Sequence, residues 1–203
     1  DLDYAMGGSN GNSHGCMVSF PDISPFPNMP VNGPDRRFMA MPAYLGGEYD
    51  MAGMKWYGSN VENKDKGLPR SILMLMLNDK ETGAPRSLMS ANLLSAYRTG
   101  AVPGVGAKHL ARRDSKVLGI YGPGVMNKTA LEAFVCTCPC LDTIKIKGRS
   151  RGSIESFIEY VKGKFPQFQT IEVADTLEEL VRGSDVISMA TSCPEGTENY
   201  PME

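Results

Sequence analysis

The apolar positions of the 203-residue chain change period near its middle, and the change divides it into two parts. In the first part, alternating large residues predict strands at Arg37–Tyr44 (RFMAMPAY) and Met51–Tyr57 (MAGMKWY). Pro42 restricts the first of these to an edge or a strand end. Ser71–Asn78 (SILMLMLN) is apolar at nearly every position and predicts a strand buried on both faces. Lys80-Glu81-Thr82-Gly83 predicts a turn, after which Pro85–Met89 returns as a fourth strand. Ser90 reads as the N-cap of a helix reaching Gly100. A second helical stretch reads from Val105 to Arg112, with Pro103 and Gly104 between the two. Residues 1–35 are rich in Gly, Pro, Asn and Ser, lack periodicity, and read as ordered loops or extended segments.

After Ser115 strands and helices alternate. Lys116–Tyr121, Thr143–Lys147, Thr170–Ala174 and Asp185–Ala190 read as strands. Between them Val125–Cys136, Ser153–Lys164 and Thr176–Arg182 read as helices, the second with Ile154, Phe157, Ile158 and Val161 on one face. This βαβαβαβ order predicts a parallel sheet with right-handed crossovers. The expected fold class is α/β: a Rossmann-type parallel sheet unit over 114–203, preceded by an α+β substrate-binding and dimerisation region over 1–113. A complete doubly wound domain has about six strands, so the sheet unit is expected to be truncated. The first residue, Asp1, likewise suggests that sequence is missing upstream.

Composition narrows the class of function. Hydrophobic residues make up 41% and charged residues 22%, as in an ordinary soluble globular protein. The net charge of −2 gives no bulk attraction to nucleic acid or anionic membranes. No apolar run reaches the roughly 18 residues that span a bilayer, and no basic segment opens a signal peptide. A cytoplasmic protein is expected. Of the five cysteines, Cys136, Cys138 and Cys140 form a C-x-C-x-C run that could suggest a soft metal site. With only His14 and His109 as further ligands, reduced cysteines around a helix end are expected instead, and no metal.

The sharpest motif is Gly119-Ile-Tyr-Gly122-Pro-Gly124-Val-Met-Asn127, at the end of a strand and the start of a helix, where a dinucleotide fingerprint belongs. Gly122 permits the tight turn. Gly124 lets the backbone approach a pyrophosphate, and the helix N-terminus supplies N–H groups. Asn127 stands where the fingerprint has its third small residue. Either its bulk loosens the helix–strand packing or its amide meets a phosphate. A ribose-binding acid is expected roughly 20 residues beyond the loop. Here the strand runs instead into Gly148-Arg149-Ser150-Arg151. Guanidinium groups suit a 2′-phosphate, so NADP(H) is favoured and NAD(H) is possible. The alternative for the two arginines is a solvated helix start.

Further segments add a resemblance. Gly53-Met54-Lys55-Trp56-Tyr57-Gly58, Asn78-Asp79-Lys80-Glu81-Thr82-Gly83-Ala84-Pro85 and Leu94-Ser95-Ala96-Tyr97-Arg98-Thr99-Gly100-Ala101 precede the nucleotide strand in that order. Over roughly Met41 to Ser192 the chain resembles the ornithine cyclodeaminase/μ-crystallin family. Within that family it is most similar to bacterial sequences labelled as a tyramine oxidase subunit, a label that establishes no chemical activity. The resemblance implies an NAD(P)-dependent imine or amino-acid enzyme: a cyclodeaminase, a ketimine reductase or an amino-acid dehydrogenase. It implies that Lys55 contacts the substrate carboxylate or reacting centre and that Arg98 binds the carboxylate. Arg37 or Arg36, or a nearby His14, would supply a further cation. Thr99, Gly122, Gly124 and Val125 would lie at the cofactor phosphates, and Ala190, Thr191 and Ser192 near the nicotinamide. The family's catalytic aspartate is expected beyond this chain. The resemblance also implies a homodimer formed through the sheet of the first half. The alternative reading is a non-catalytic accessory protein that binds a nucleotide or another ligand on the same fold. Another short Rossmann oxidoreductase, built on a Tyr-x-x-x-Lys pair, is the weaker third reading.

Trp56 and Tyr57 read as core aromatics, the clustered methionines as adaptable packing, and His109 as a surface residue.

Overall fold

The computed structural model describes residues 11–12, 16–33 and 35–191. His14, Ser192 and Cys193 lie outside the described residues. The chain forms two compact units, the first ending at Ser95 and the second beginning at Ala96.

The first unit is an antiparallel sheet of six strands. They are β1 (Gly11–Asn12), β2 (Cys16–Ser19), β3 (Arg37–Leu45), β4 (Met51–Ser59), β5 (Ser71–Asn78) and β6 (Pro85–Ser90). The order is β1-β3-β4-β5-β6, with β2 also on β3. β1 and β2 fall in the region read as loops, because strands of two and four residues are too short to show a period. A 3-10 helix at Val61–Lys66, capped by the Asn60 side chain and ended by Gly67 at φ 68°, fills the β4–β5 connection. The β3–β4 ladder is unbroken from Arg37 opposite Ser59 to Leu45 opposite Met51.

β5 is not buried on both faces as its composition predicts. Leu73 is the one buried side chain in that strand, while Ile72 is 46% exposed. The sheet is a single layer within its own unit, so an apolar strand at its centre still faces outward.

Ser90 closes β6 rather than capping a helix. The cap-like role falls to Asn92, whose Oδ1 accepts from Leu73 N–H at 2.8 Å and whose Nδ2 donates to Ser71 O at 2.7 Å. Its amide thus continues the pairing of β5 beyond the last residue of β6.

From Asn92 to Leu110 the chain is one helix, α1, running through Pro103. The sequence predicts two helices because a mid-helix proline removes a hydrogen bond and crowds the preceding turn. Packing overrides that penalty. Ala96, Gly100, Gly104 and Ala107 form its buried face. A Cβ on Gly100 would collide with Thr129, and one on Gly104 with Ala133. This packing starts at Ala96, which is why the compact unit begins there and not after Arg113.

The second unit continues with β7 (Val117–Tyr121), α2 (Val125–Thr137), β8 (Thr143–Lys147), α3 (Arg151–Lys164), β9 (Thr170–Val173), α4 (Leu177–Val181) and β10 (Val186–Met189). The four strands are parallel, in the order β10-β7-β8-β9. This is the expected α/β sheet. Leu118, Ile120, Ile144, Ile146, Leu131 and Phe157 are wholly buried in its core, each contributing roughly 1.5–3 kcal/mol. α4 begins with a full capping box between Thr176 and Glu179. Asp185 ties down the start of β7: its carboxylate accepts from Lys116 N–H at 2.8 Å and Val117 N–H at 3.0 Å.

Candidate functional site

In the second unit the fingerprint folds as a turn between β7 and α2. Gly122 has φ +85°, and a Cβ there would overlap the carbonyl of Ala190 and press on Thr191. Only glycine fits both constraints. Ala190 N–H donates to Tyr121 O at 2.9 Å. The ends of β7 and β10 are therefore fused, and Gly122, Ala190 and Thr191 stand together. Gly124 is the N-cap of α2, and a Cβ on it would meet nothing within 4 Å. No side chain caps this helix. Its first-turn N–H groups have no intrahelical acceptors and remain for an anion or solvent. Val125, the first helical residue, is exposed. An open cradle and an uncapped 13-residue helix fit a dinucleotide pyrophosphate.

The tip of β8 borders this loop. Gly122 N–H donates to Lys147 O at 2.9 Å, and a Cβ on Gly148 would stand 2.8 Å from Pro123 Cδ. Arg149, Ser150 and Arg151 are exposed here but differ in use. Ser150 caps α3 by accepting from Ser153 N–H. Arg151 reaches back along α3 to Glu155 at 2.9 Å. These two form the helix start. Arg149 has no hydrogen bond or ion pair among the described residues. No carboxylate occupies the tip.

Asn127 is neither a source of loose packing nor a phosphate ligand. It is 1% exposed. Its amide donates to Tyr121 O at 3.1 Å and Gly122 O at 2.8 Å, and its carbonyl accepts from Ser188 Oγ at 2.7 Å.

α1 brings two further candidates to the same unit. Gly100 packs on Thr129, and Gly104 packs on Ala133. Equal steps on both helices mean that α1 and α2 run in the same direction. Arg98 and Thr99 therefore lie level with the first turns of α2. Thr129 Oγ1 lies 3.0 Å from Ala96 O across this contact. Arg98 is exposed and Thr99 half-buried. His109 is exposed in the last turn of α1.

The first unit holds the other two cations. Opposed residues in an antiparallel ladder share a face. Lys55 opposes Met41 and Leu75, and Arg37 opposes Ser59 on the same face. The two are separated by four residues of strand, about 13 Å. Lys55 is half-buried, with Nζ 5.3 Å from the centre of the Tyr57 ring. Beside it Met41, Ala43, Leu45, Tyr49 and Leu75 line an open concavity of about 340 Å³. Arg37 is bound to Asp35 at 2.5 Å, where Arg70 also pairs at 2.7 Å and Ser59 donates. Burial pushes the Asp35 carboxyl up, but the bonds from Ser59 and Arg70 outweigh it and hold the group below its ordinary range. Arg36 pairs with Glu62 at 2.5 Å. Trp56 projects from the opposite face, stacked on Phe38 at 5.9 Å and 39% exposed. It is not core within this unit.

Tyr160 and Lys164 do stand in Tyr-x-x-x-Lys spacing, and the structure gives them another role. The Tyr160 hydroxyl donates to Glu132 at 2.8 Å, Lys164 binds the same oxygen at 2.5 Å, and Tyr97 reaches it at 3.1 Å. Burial first, then the bond to Glu132, pushes the phenol up to about 12. A general base needs a value near the working pH. The cluster is a clamp joining α1, α2 and α3.

Cys138 is buried at the end of α2, while Cys136 and Cys140 beside it are exposed and in no disulfide. Among the described residues no three metal-ligating side chains come together, and no helix is long and apolar enough to cross a membrane.

The sequence missed Asn127, Ser188, Asn92 and Asp185 as organising residues. Each works by a side-chain bond to distant backbone or to a distant side chain, which no local pattern reports.

Known proteins share this arrangement. An N-((2S)-2-amino-2-carboxyethyl)-L-glutamate dehydrogenase of Staphylococcus aureus is 31% identical over 153 residues, covering 75% of this chain and 46% of that protein. The Thermococcus litoralis Delta(1)-pyrroline-2-carboxylate reductase, solved with NADH and L-proline, superposes with a TM-score of 0.74 at 28% identity. The match covers 91% of this chain and 52% of that one. An archaeal alanine dehydrogenase dimer with bound NAD gives a TM-score of 0.71 at 30% identity, over 87% of this chain and 48% of that one. The chain thus spans about half the length of the relatives it matches. A sequence model of one family matches residues 1–198, and with that match the chain belongs to the Ornithine cyclodeaminase/mu-crystallin family.

Proposed function

We propose that this chain forms the cofactor-binding and carboxylate-binding part of an NAD(P)-dependent enzyme acting on amino acids or their imines, as a cyclodeaminase, ketimine reductase or amino-acid dehydrogenase. The observation that carries the reading is the loop at Gly122 and Gly124. It closes against Ala190 and leaves the N-terminus of α2 uncapped.

Bound there, a nicotinamide would exchange a hydride with the α-carbon of the substrate. The chain's own residues bind and orient. Gly124, Val125 and Thr99 hold the pyrophosphate, and Ala190 and Thr191 border the nicotinamide. Lys55 and Arg98 are the cations for the substrate carboxylate, fixing it by charge-assisted hydrogen bonds. Lys55 also serves as the proton-handling candidate. Arg37 would join them by sharing Asp35. We assign NADP(H) as the preferred cofactor, with Arg149 on the 2′-phosphate and Ser150 and Arg151 building the helix start behind it. The 28–30% identical relatives solved with NADH or NAD support the nicotinamide and leave the phosphate preference to Arg149.

We further propose a homodimer through the first-unit sheet. Val18, Phe38, Trp56 and Ile72 share one exposed apolar face of that sheet, and a face of this kind calls for cover. The exposed thiols of Cys16, Cys136 and Cys140 suit a reducing cytoplasm. The similarity to tyramine oxidase sequences remains a likeness of sequence without an assigned reaction.

The test is a fluorescence titration of the purified protein with NADPH and NADH, followed by turnover of cyclic imines and amino acids. Binding with turnover supports the enzyme. Binding without turnover favours the accessory role, and binding of neither nucleotide overturns both.

A further inference from the structure

Dinucleotide fingerprints place a small residue three positions after their second glycine, so that helix and strand pack closely. This chain places Asn127 there, and its helix and strand are nonetheless closely packed, with Asn127 1% exposed. The side chain has become part of the backbone's own hydrogen bonding. Two carbonyl oxygens can only accept, so the amide nitrogen faces Tyr121 O and Gly122 O. That leaves the amide oxygen for Ser188, which donates to it at 2.7 Å and is itself buried.

These bonds close a ring. Asn127 holds the two carbonyls that lead into the phosphate loop. Ser188 lies in β10, two residues before the Ala190 carbonyl that sits against Gly122. Tyr121 O receives both the Asn127 amide and Ala190 N–H. The turn that would hold the pyrophosphate and the strand end that would border the nicotinamide are thus bridged by one buried polar pair.

We propose that Asn127 and Ser188 are positioning residues that lock the phosphate loop to the end of β10, so that both halves of the dinucleotide meet one rigid surface. The proposal rests on the nicotinamide-dinucleotide reading above. Neither residue touches the cofactor. Their effect is on the spacing between two segments that do. A ligand bridging both segments depends on that spacing, whereas one bound only at the β8 tip does not.

The test compares NADPH with adenosine 2′,5′-bisphosphate, which carries the adenosine half alone, on wild type, Ser188→Ala, Ser188→Thr and Asn127→Asp. Ser188→Ala is expected to weaken NADPH about tenfold, the scale of one buried hydrogen bond, and to leave adenosine 2′,5′-bisphosphate unchanged. Ser188→Thr keeps the hydroxyl and restores NADPH binding. Asn127→Asp offers no donor to the two carbonyls and loses NADPH binding. Should it fail to fold, the serine pair carries the test. Equal loss of both probes in Ser188→Ala would reduce the pair to ordinary packing, and wild-type NADPH affinity in that variant would overturn the proposal. If the wild type binds neither NADPH nor NADH, the nicotinamide reading falls first.

Discussion

Gly122 and the carbonyl of Ala190 share a space that admits no side chain. Gly122→Ala would have to push the end of β10 away and also hold an alanine at φ +85°, where a Cβ alone costs about 1–2 kcal/mol. The expected outcome is a lower melting temperature together with loss of dinucleotide binding, read by thermal denaturation and by NADPH titration. Gly124→Ala makes the contrast. Its Cβ meets no protein atom, so it should fold normally and weaken only the ligand.

Arg149 differs from its neighbours in having no partner within the described residues. Arg149→Ala is expected to weaken NADPH roughly tenfold to a hundredfold, the range for a hydrogen bond to a charged group, and to leave NADH within about twofold. Arg151→Ala, which removes a solvated i,i+4 pair, should change either affinity little. Parallel titrations of the two variants check this.

Lys55 lies beside an apolar concavity and over a tyrosine ring. Lys55→Met keeps the stem's volume and removes the charge. We expect KM for the amino-acid or imine substrate to rise at least about tenfold, with cofactor affinity and melting temperature unchanged. Arg98→Met should act in the same direction. If steady-state kinetics show kcat falling with KM constant for Lys55→Met, its part is proton transfer rather than binding.

Asp185 gives a pH dependence with a definite sign. Bonds from Val117 N–H and Lys116 N–H, with the charge of Arg112, hold its carboxyl below the ordinary value. A depressed folded value adds stability that is complete above the unfolded pKa and disappears as pH falls through the folded one. Asp185→Asn should therefore be less stable than wild type near neutrality, and the gap should close in acid, below about pH 4. Thermal melts of both proteins across that range measure it, and a gap independent of pH would remove the charge from the account.

Much of the second unit is legible in the sequence because its cues are local. Leu118, Ile120, Ile144 and Ile146 mark short buried strands, Thr176 and Glu179 write a capping box, and Gly122 announces a turn. The sequence breaks α1 at Pro103 because what carries the helix through is Gly100 against Thr129 and Gly104 against Ala133. Those pairs are distant in sequence. β5 misleads for the opposite reason: its apolar run is real, but burial depends on a covering layer that a strand's own residues do not specify. For the site, the glycines and the basic tip are visible as types. Which of Arg149, Ser150 and Arg151 carries free charge is decided by a helix cap and by Glu155. Asn127 looks like a defect in a motif until Ser188 stands opposite it.

Nine consecutive pairings join β3 to β4 with no bulge, from Arg37–Ser59 to Leu45–Met51. Lys55 and Arg37 share a face only because that count is kept. The five residues between the strands, 46–50, set it, with Gly47 and Asp50 at positive φ. A single residue inserted there, if the strands re-paired around it, would carry Lys55 to the Trp56 side of the sheet while every residue kept its identity. Length variation at this turn should therefore be tolerated in even steps and selected against in odd ones, so that chemistry in the middle of β4 is inherited partly as the parity of a loop.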